Sequence, residues 1–105
     1  MHQEKRTTPE KEAALKALRN QFKGTDADTQ RRLIFAALEQ WPTISTLEAR
    51  QVLDILHPAG RIKELRDEGH TILTLWSDEW TEAGVLHRVG LYALARGVQT
   101  QEAAA

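Results

Sequence analysis

Pro58-Ala59-Gly60-Arg61-Ile62-Lys63-Glu64-Leu65-Arg66-Asp67-Glu68-Gly69-His70 reads as a short helix with both ends marked. It runs straight into Thr71-Ile72-Leu73-Thr74-Leu75-Trp76, which reads as a strand. Pro58 suits the first helical position, where a fixed φ and a missing N–H cost nothing. Gly69 suits the left-handed residue that terminates a helix. Ile62 and Leu65 form a narrow apolar stripe, and Arg61, Lys63, Glu64 and Arg66 turn away from it.

Working outward, Ser45-Thr46-Leu47-Glu48 fits a capping box, in which Ser bonds the third helical amide and Glu reaches back to the cap amide. It predicts a helix from about Thr46 to Leu53, with Leu47 or Ala49, then Val52 and Leu53, turned inward. Asp54-Ile55-Leu56-His57 is then a turn, with Leu56 expected to fill the gap between the two helices. Upstream, Asp28 suits the N-cap of a helix over Thr29–Gln40, whose stripe is Leu33, Ile34, Ala37, Leu38 and Trp41. Earlier still, Ala14, Leu15, Leu18 and Phe22 predict a helix over Pro9–Phe22 with a thin stripe, one that forms when docked on the domain or on a second copy. Residues 1–8 and the stretch from Gly97 onward read as disordered.

Downstream, Ser77 to Gly84 reads as a polar hairpin loop carrying Asp78, Glu79 and Glu82. Val85 to Ala95 alternates, and its strand completes the hairpin. The expectation is an α+β, mainly α, winged helix-turn-helix: a three-helix core plus a C-terminal two-stranded β-wing, with an N-terminal helical arm. The divisions are 1–24 for a basic arm, 25–96 for the domain and 97–105 for a tail.

At 105 residues there is room for one domain, and the absence of cysteine removes disulfide scaffolds, thiolate metal sites and cysteine nucleophiles together. No apolar run approaches the roughly 18 residues of a membrane span, so a cytoplasmic protein without membrane contact is expected. The net charge of −1 is unevenly placed. Residues 1–24 carry six Lys/Arg against three acids, and the remainder carries eight against twelve. A strongly basic domain is the usual footprint of a nucleic-acid binder, so such a role here needs positive charge gathered on one face or supplied by the arm.

Residues 29–95 resemble the helix-turn-helix domain family of small bacteriophage and mobile-element proteins. The resemblance is carried by Thr29-Gln30-Arg31-Arg32-Leu33-Ile34 and Ile44-Ser45-Thr46-Leu47-Glu48-Ala49. It continues through Arg61–Ile72 and Arg88-Val89-Gly90-Leu91-Tyr92-Ala93-Leu94, and Arg-x-x-x-Leu-Arg-x-x-Gly-His is its most specific piece. It implies a DNA-binding protein, a transcriptional regulator or accessory factor of such an element. The acidic hairpin loop departs from a wing that grips phosphates with Lys or Arg.

On that reading helix 58–68 enters the major groove, where Arg or Lys reads guanine and a carboxylate accepts from cytosine. Lys63 and Glu64 are the base-edge candidates, with Arg61 and Arg66 reaching bases or phosphates. The alternative is a solvated face stitched by Arg61–Glu64 and Lys63–Asp67 pairs. Ser45 and Thr46, at a helix N-terminus, are phosphate candidates supported by Arg50. Arg88 is a wing candidate, and Arg31 and Arg32 are weaker ones. Residues 9–22 offer a homodimer helix. Trp41, Trp76 and Trp80 read as core or patch residues, with Trp80 marking a partner surface if its loop exposes it. The rival function is a winged-helix module that binds protein and no DNA, favoured by the acidic balance and the three tryptophans. The four scattered histidines lack metal-ligand spacing. Two serines with no His/Asp arrangement and no Gly-rich loop speak against catalysis. No cofactor or small-molecule ligand is expected.

Overall fold

The computed structural model describes residues 7–95. Its elements are α1 (Pro9–Gln21), α2 (Ala27–Gln40), β1 (Ile44–Ser45), α3 (Thr46–Gln51), α4 (Pro58–Asp67), β2 (Ile72–Trp80) and β3 (Leu86–Leu94). This is the expected fold class, with one strand more than the two-stranded wing. Ile44 and Ser45 pair antiparallel with Tyr92 and Leu91, so the sheet order is β1-β3-β2. The expected disorder at residues 1–6 and 97–105 lies outside the described residues. Thr7 and Thr8 are placed: the Thr8 hydroxyl accepts from the Lys11 amide to cap α1.

One apolar cluster joins all four helices to the sheet. Leu15 and Leu18 of α1 share it with Leu33, Ile34 and Leu38 of α2, Ile62 and Leu65 of α4, and Ile72 and Tyr92 of the hairpin. The thin stripe of α1 is therefore spent on the chain's own core rather than on a second copy. Helix α2 starts two residues before the expected position, because Asp26, not Asp28, accepts from the Thr29 amide at 3.1 Å.

The turn between α3 and α4 corrects the expectation for Leu56. Asp54 adopts φ 61°, a left-handed conformation tolerated best by Gly, Asn and Asp. That reversal sends Ile55 into the core at 0 % exposure and leaves Leu56 outside at 66 %. Beyond α4, Gly69 has φ 108° as its terminating role requires. Strand β2 then continues through Ser77, Asp78, Glu79 and Trp80, where a loop was expected, and the true loop is Thr81–Val85. The register explains the extension: Asp78 lies across from Arg88 and Glu79 from His87. Polar residues on an exposed ribbon break no core, so their polarity does not end the strand.

Candidate nucleic-acid interface

Helix α4 has three environments, because successive residues turn by about 100°. Pro58, Ile62 and Leu65 face the core. One flank, carrying Arg61 and Glu64, is tied to α2. Arg31 Nη1 donates to Glu64 Oε1 at 2.9 Å, Arg61 Nη2 donates to Glu64 Oε2 at 3.0 Å, and Arg61 Nη1 reaches Gln30 Oε1 at 3.4 Å. Arg31 Nε also lies 3.4 Å from Glu68. The hydrogen bond from Arg31 holds the Glu64 carboxyl below the usual carboxylate range, and the same bond raises Arg31. Arg61 and Glu64, expected at base edges, thus sit in an ionic cluster between two helices. That cluster fixes the roll of α4 about its axis.

The other flank faces the hairpin. Arg66 Nε and Nη2 donate to the Ile72 carbonyl at 2.9 and 2.6 Å, and Nη2 also donates to Thr74 Oγ1 at 2.8 Å. The remaining outer face presents Ala59, Lys63 and Asp67 to solvent. Lys63 Nζ lies 3.0 Å from Asp67 at side-chain exposures of 76 % and 65 %, an i,i+4 pair that water screens and a stronger anion can displace. The solvated-face alternative therefore describes the ligand-free pairing, while Lys63 keeps its reach.

The N-terminus of α3 is a complete capping box. The Glu48 amide donates to Ser45 Oγ at 2.9 Å, and the Ser45 amide donates to Glu48 Oε1 at 2.9 Å. At 1 % exposure Ser45 cannot meet a phosphate, which corrects that expectation. Thr46 Oγ1 donates to the Gly90 carbonyl at 3.2 Å, so its hydroxyl is committed to the wing. Arg50, one turn further on, is exposed, and its Nε reaches the Leu56 carbonyl at 3.4 Å. Arg32, also exposed, pairs with Asp28 at 3.3 Å.

Sequence reasoning missed what lies behind this cap. Glu48 is 3 % exposed and also accepts from Lys11 Nζ at 3.1 Å and from the Thr7 hydroxyl. Lys11, 6 % exposed, donates further to the Thr43 carbonyl at 2.8 Å and lies 5.6 Å from the Trp41 ring centroid. The capping role accounts for Glu48 locally, so no signal remained to suggest a second, distant partner.

On the wing, Trp76 lies across from Gly90, and a Cβ there would come within 3.7 Å of its ring and 3.3 Å of Thr46 Oγ1. Arg88 stacks on that ring at 4.9 Å. Trp76, expected in a core or patch, is 59 % exposed, and Trp80, on β2 rather than in a loop, is 54 % exposed. Thr46 and Trp76 meet at Gly90, so α3 and the wing form one continuous surface. Arg66 joins α4 to the same hairpin.

A helix, a tight turn, a second helix held on three sides, and a hairpin locked to both define a helix-turn-helix with a wing. A family model described as a winged helix-turn-helix domain matches residues 29–97, and the chain belongs to that family. No curated protein and no solved structure matches the chain. The family's fold is one associated with DNA binding. Helix α1 lies outside the matched residues although it is part of the core. No helix among the described residues is long and apolar enough to cross a membrane.

Proposed function

We propose that this protein binds duplex DNA with the outer face of α4 in the major groove, as a regulator or accessory factor of a phage or other mobile element. The observation that carries the DNA reading is the anchoring of α4 by Arg31 and Arg61 on one flank and Arg66 on the other. It leaves Ala59 and Lys63 outward on a helix that cannot roll. Lys63 is the base-edge candidate, Arg50 and Arg88 the phosphate candidates, and Arg66 the hairpin-side cation. Ala59 and Gly60 keep the helix slim where it would approach the groove floor. The phage or mobile-element setting rests on the sequence resemblance alone.

The test is selection of bound fragments from random duplex, followed by titration across salt. Lys63→Ala should weaken the selected site by about 1–3 kcal/mol and relax preference at one position. Arg50→Ala and Arg88→Ala should each weaken all duplexes alike and reduce the salt slope by about 1. Wild type that binds no duplex at low salt would favour the rival reading, a module that binds protein. The observation behind that rival is the wing, where exposed Trp76, Trp80 and Leu86 accompany Asp78, Glu79 and Glu82.

A further inference from the structure

Large exposed hydrophobic side chains are not scattered over this chain. Of those among the described residues, only Leu56 lies away from the hairpin; Leu73, Leu75, Trp76, Trp80, Val85 and Leu86 are all on it. Four of them, Leu73, Leu75, Trp76 and Trp80, stand on β2, at the edge of the sheet. The sheet order β1-β3-β2 leaves β2 with no strand beyond it among the described residues. The Ala95 amide donates to the Thr71 carbonyl and the Thr81 amide to the Val85 carbonyl, so odd-numbered residues of β2 turn their backbone groups toward β3. Even-numbered residues from Ile72 to Trp80 turn theirs to the open edge. Such an edge beside apolar side chains is a template for another strand.

The edge is also charge-polarised. At its base Arg66 holds the Ile72 carbonyl and Thr74 Oγ1. Toward its tip it carries Asp78, with Glu82 in the loop beyond. An edge positive at one end and negative at the other is self-complementary when two copies run antiparallel. We infer that β2 pairs with β2 of a second copy of this chain across a two-fold axis at Trp76. In that register Thr74 of each copy faces Asp78 of the other, which brings Asp78 beside the opposite Arg66. Arg66 has five N–H donors to satisfy, and the Ile72 and Thr74 oxygens do not exhaust them. Trp76 packs on its own counterpart, and Trp80 reaches toward the opposite Ile72. Arg66 closes the Ile72 carbonyl, so pairing is confined to Thr74–Asp78 and cannot propagate along the strand. The contact is isologous and closed, giving a dimer and not a fibre.

This inference goes beyond the DNA reading and is tested without DNA, so the two fail separately. The full chain is run by sedimentation over a concentration series to roughly millimolar, where even a weak dimer is populated. Wild type should dimerise. Asp78→Lys and Arg66→Glu alone each place two like-charge contacts across the axis and should each weaken the dimer about tenfold or more. An equimolar mixture of the two variants makes both contacts attractive and should restore association as a heterodimer. Far-UV circular dichroism checks the fold of each variant. Amide exchange on the wild type needs no variant: the Thr74, Trp76 and Asp78 amides should gain protection as the protein is concentrated. A wild type that stays monomeric overturns the inference and leaves the edge to an extended segment of another protein. Dimers indifferent to both substitutions, or a mixture no tighter than its components, overturn it equally.

Discussion

Lys11 and Glu48 are two charges taken out of water together, and each depends on the other. Removing one partner of a buried pair leaves an uncompensated charge, at a cost of roughly 3–5 kcal/mol. Lys11→Met should therefore lower stability by about that amount in chemical denaturation. Adding Glu48→Gln should recover most of it, because Gln can still accept the Ser45 amide and complete the cap. If the double variant is no better than the single one, the packing of the Lys11 stem matters more than its charge. Glu64 makes a different statement. Its carboxyl titrates lower in the folded chain than in the unfolded one because Arg31 bonds it. A depressed folded value adds stability that is complete above the ordinary glutamate range and is lost as pH falls through the folded value. Asp26, lowered by its bonds from Thr29, acts with the same sign. Glu64→Gln should thus melt below wild type at neutral pH, and the two midpoints should converge under acid conditions.

Among the elements, α4 was the most legible, because Pro58 and Gly69 are backbone signals that need no tertiary information. The capping box of α3 was equally local. What the sequence does not announce is non-local or conformational. Nothing near Arg61 or Glu64 in sequence announces Arg31, some thirty residues away. Leu56 and Ile55 are adjacent isomers and equal apolar signals, and the left-handed Asp54 turns Ile55 rather than Leu56 into the core. Asp54→Val, which a left-handed φ resists, should cost about 1–2 kcal/mol, while Asp54→Gly should be neutral or stabilising. Strand β1 is too short to announce itself by alternation, and Ser77–Trp80 has the polarity of a loop because an exposed ribbon tolerates polar residues. The positions of the candidate residues were half legible: Lys63, Arg66, Arg50 and Arg88 keep outward or hairpin-facing positions, whereas Ser45, Thr46, Arg61 and Glu64 serve the scaffold.

For the whole molecule, the domain that folds is larger than residues 29–97. Leu15 at 0 % exposure and Leu18 at 5 % complete the cluster that α2 and α3 leave open. Arg19 Nη1 adds a bond of 3.1 Å to the Val52 carbonyl. Leu15→Ala should cost about 2–5 kcal/mol, the range for a buried leucine whose site cannot collapse. Deleting residues 1–24 should cost more, read as a lower urea midpoint or as loss of a cooperative transition.

The order of α1 ahead of the residues that anchor it has a consequence for biosynthesis. Its anchoring partners Val52 and Glu48 lie 33 and 37 residues beyond Arg19 and Lys11. At roughly 5–20 residues per second, the ribosome finishes α1 about one to five seconds before Glu48 is even made. A helix of 13 residues is marginal alone in water. Helix α1 is therefore made before the residues that hold it and settles only after them, so Leu15 and Leu18 lack their core partners throughout that interval.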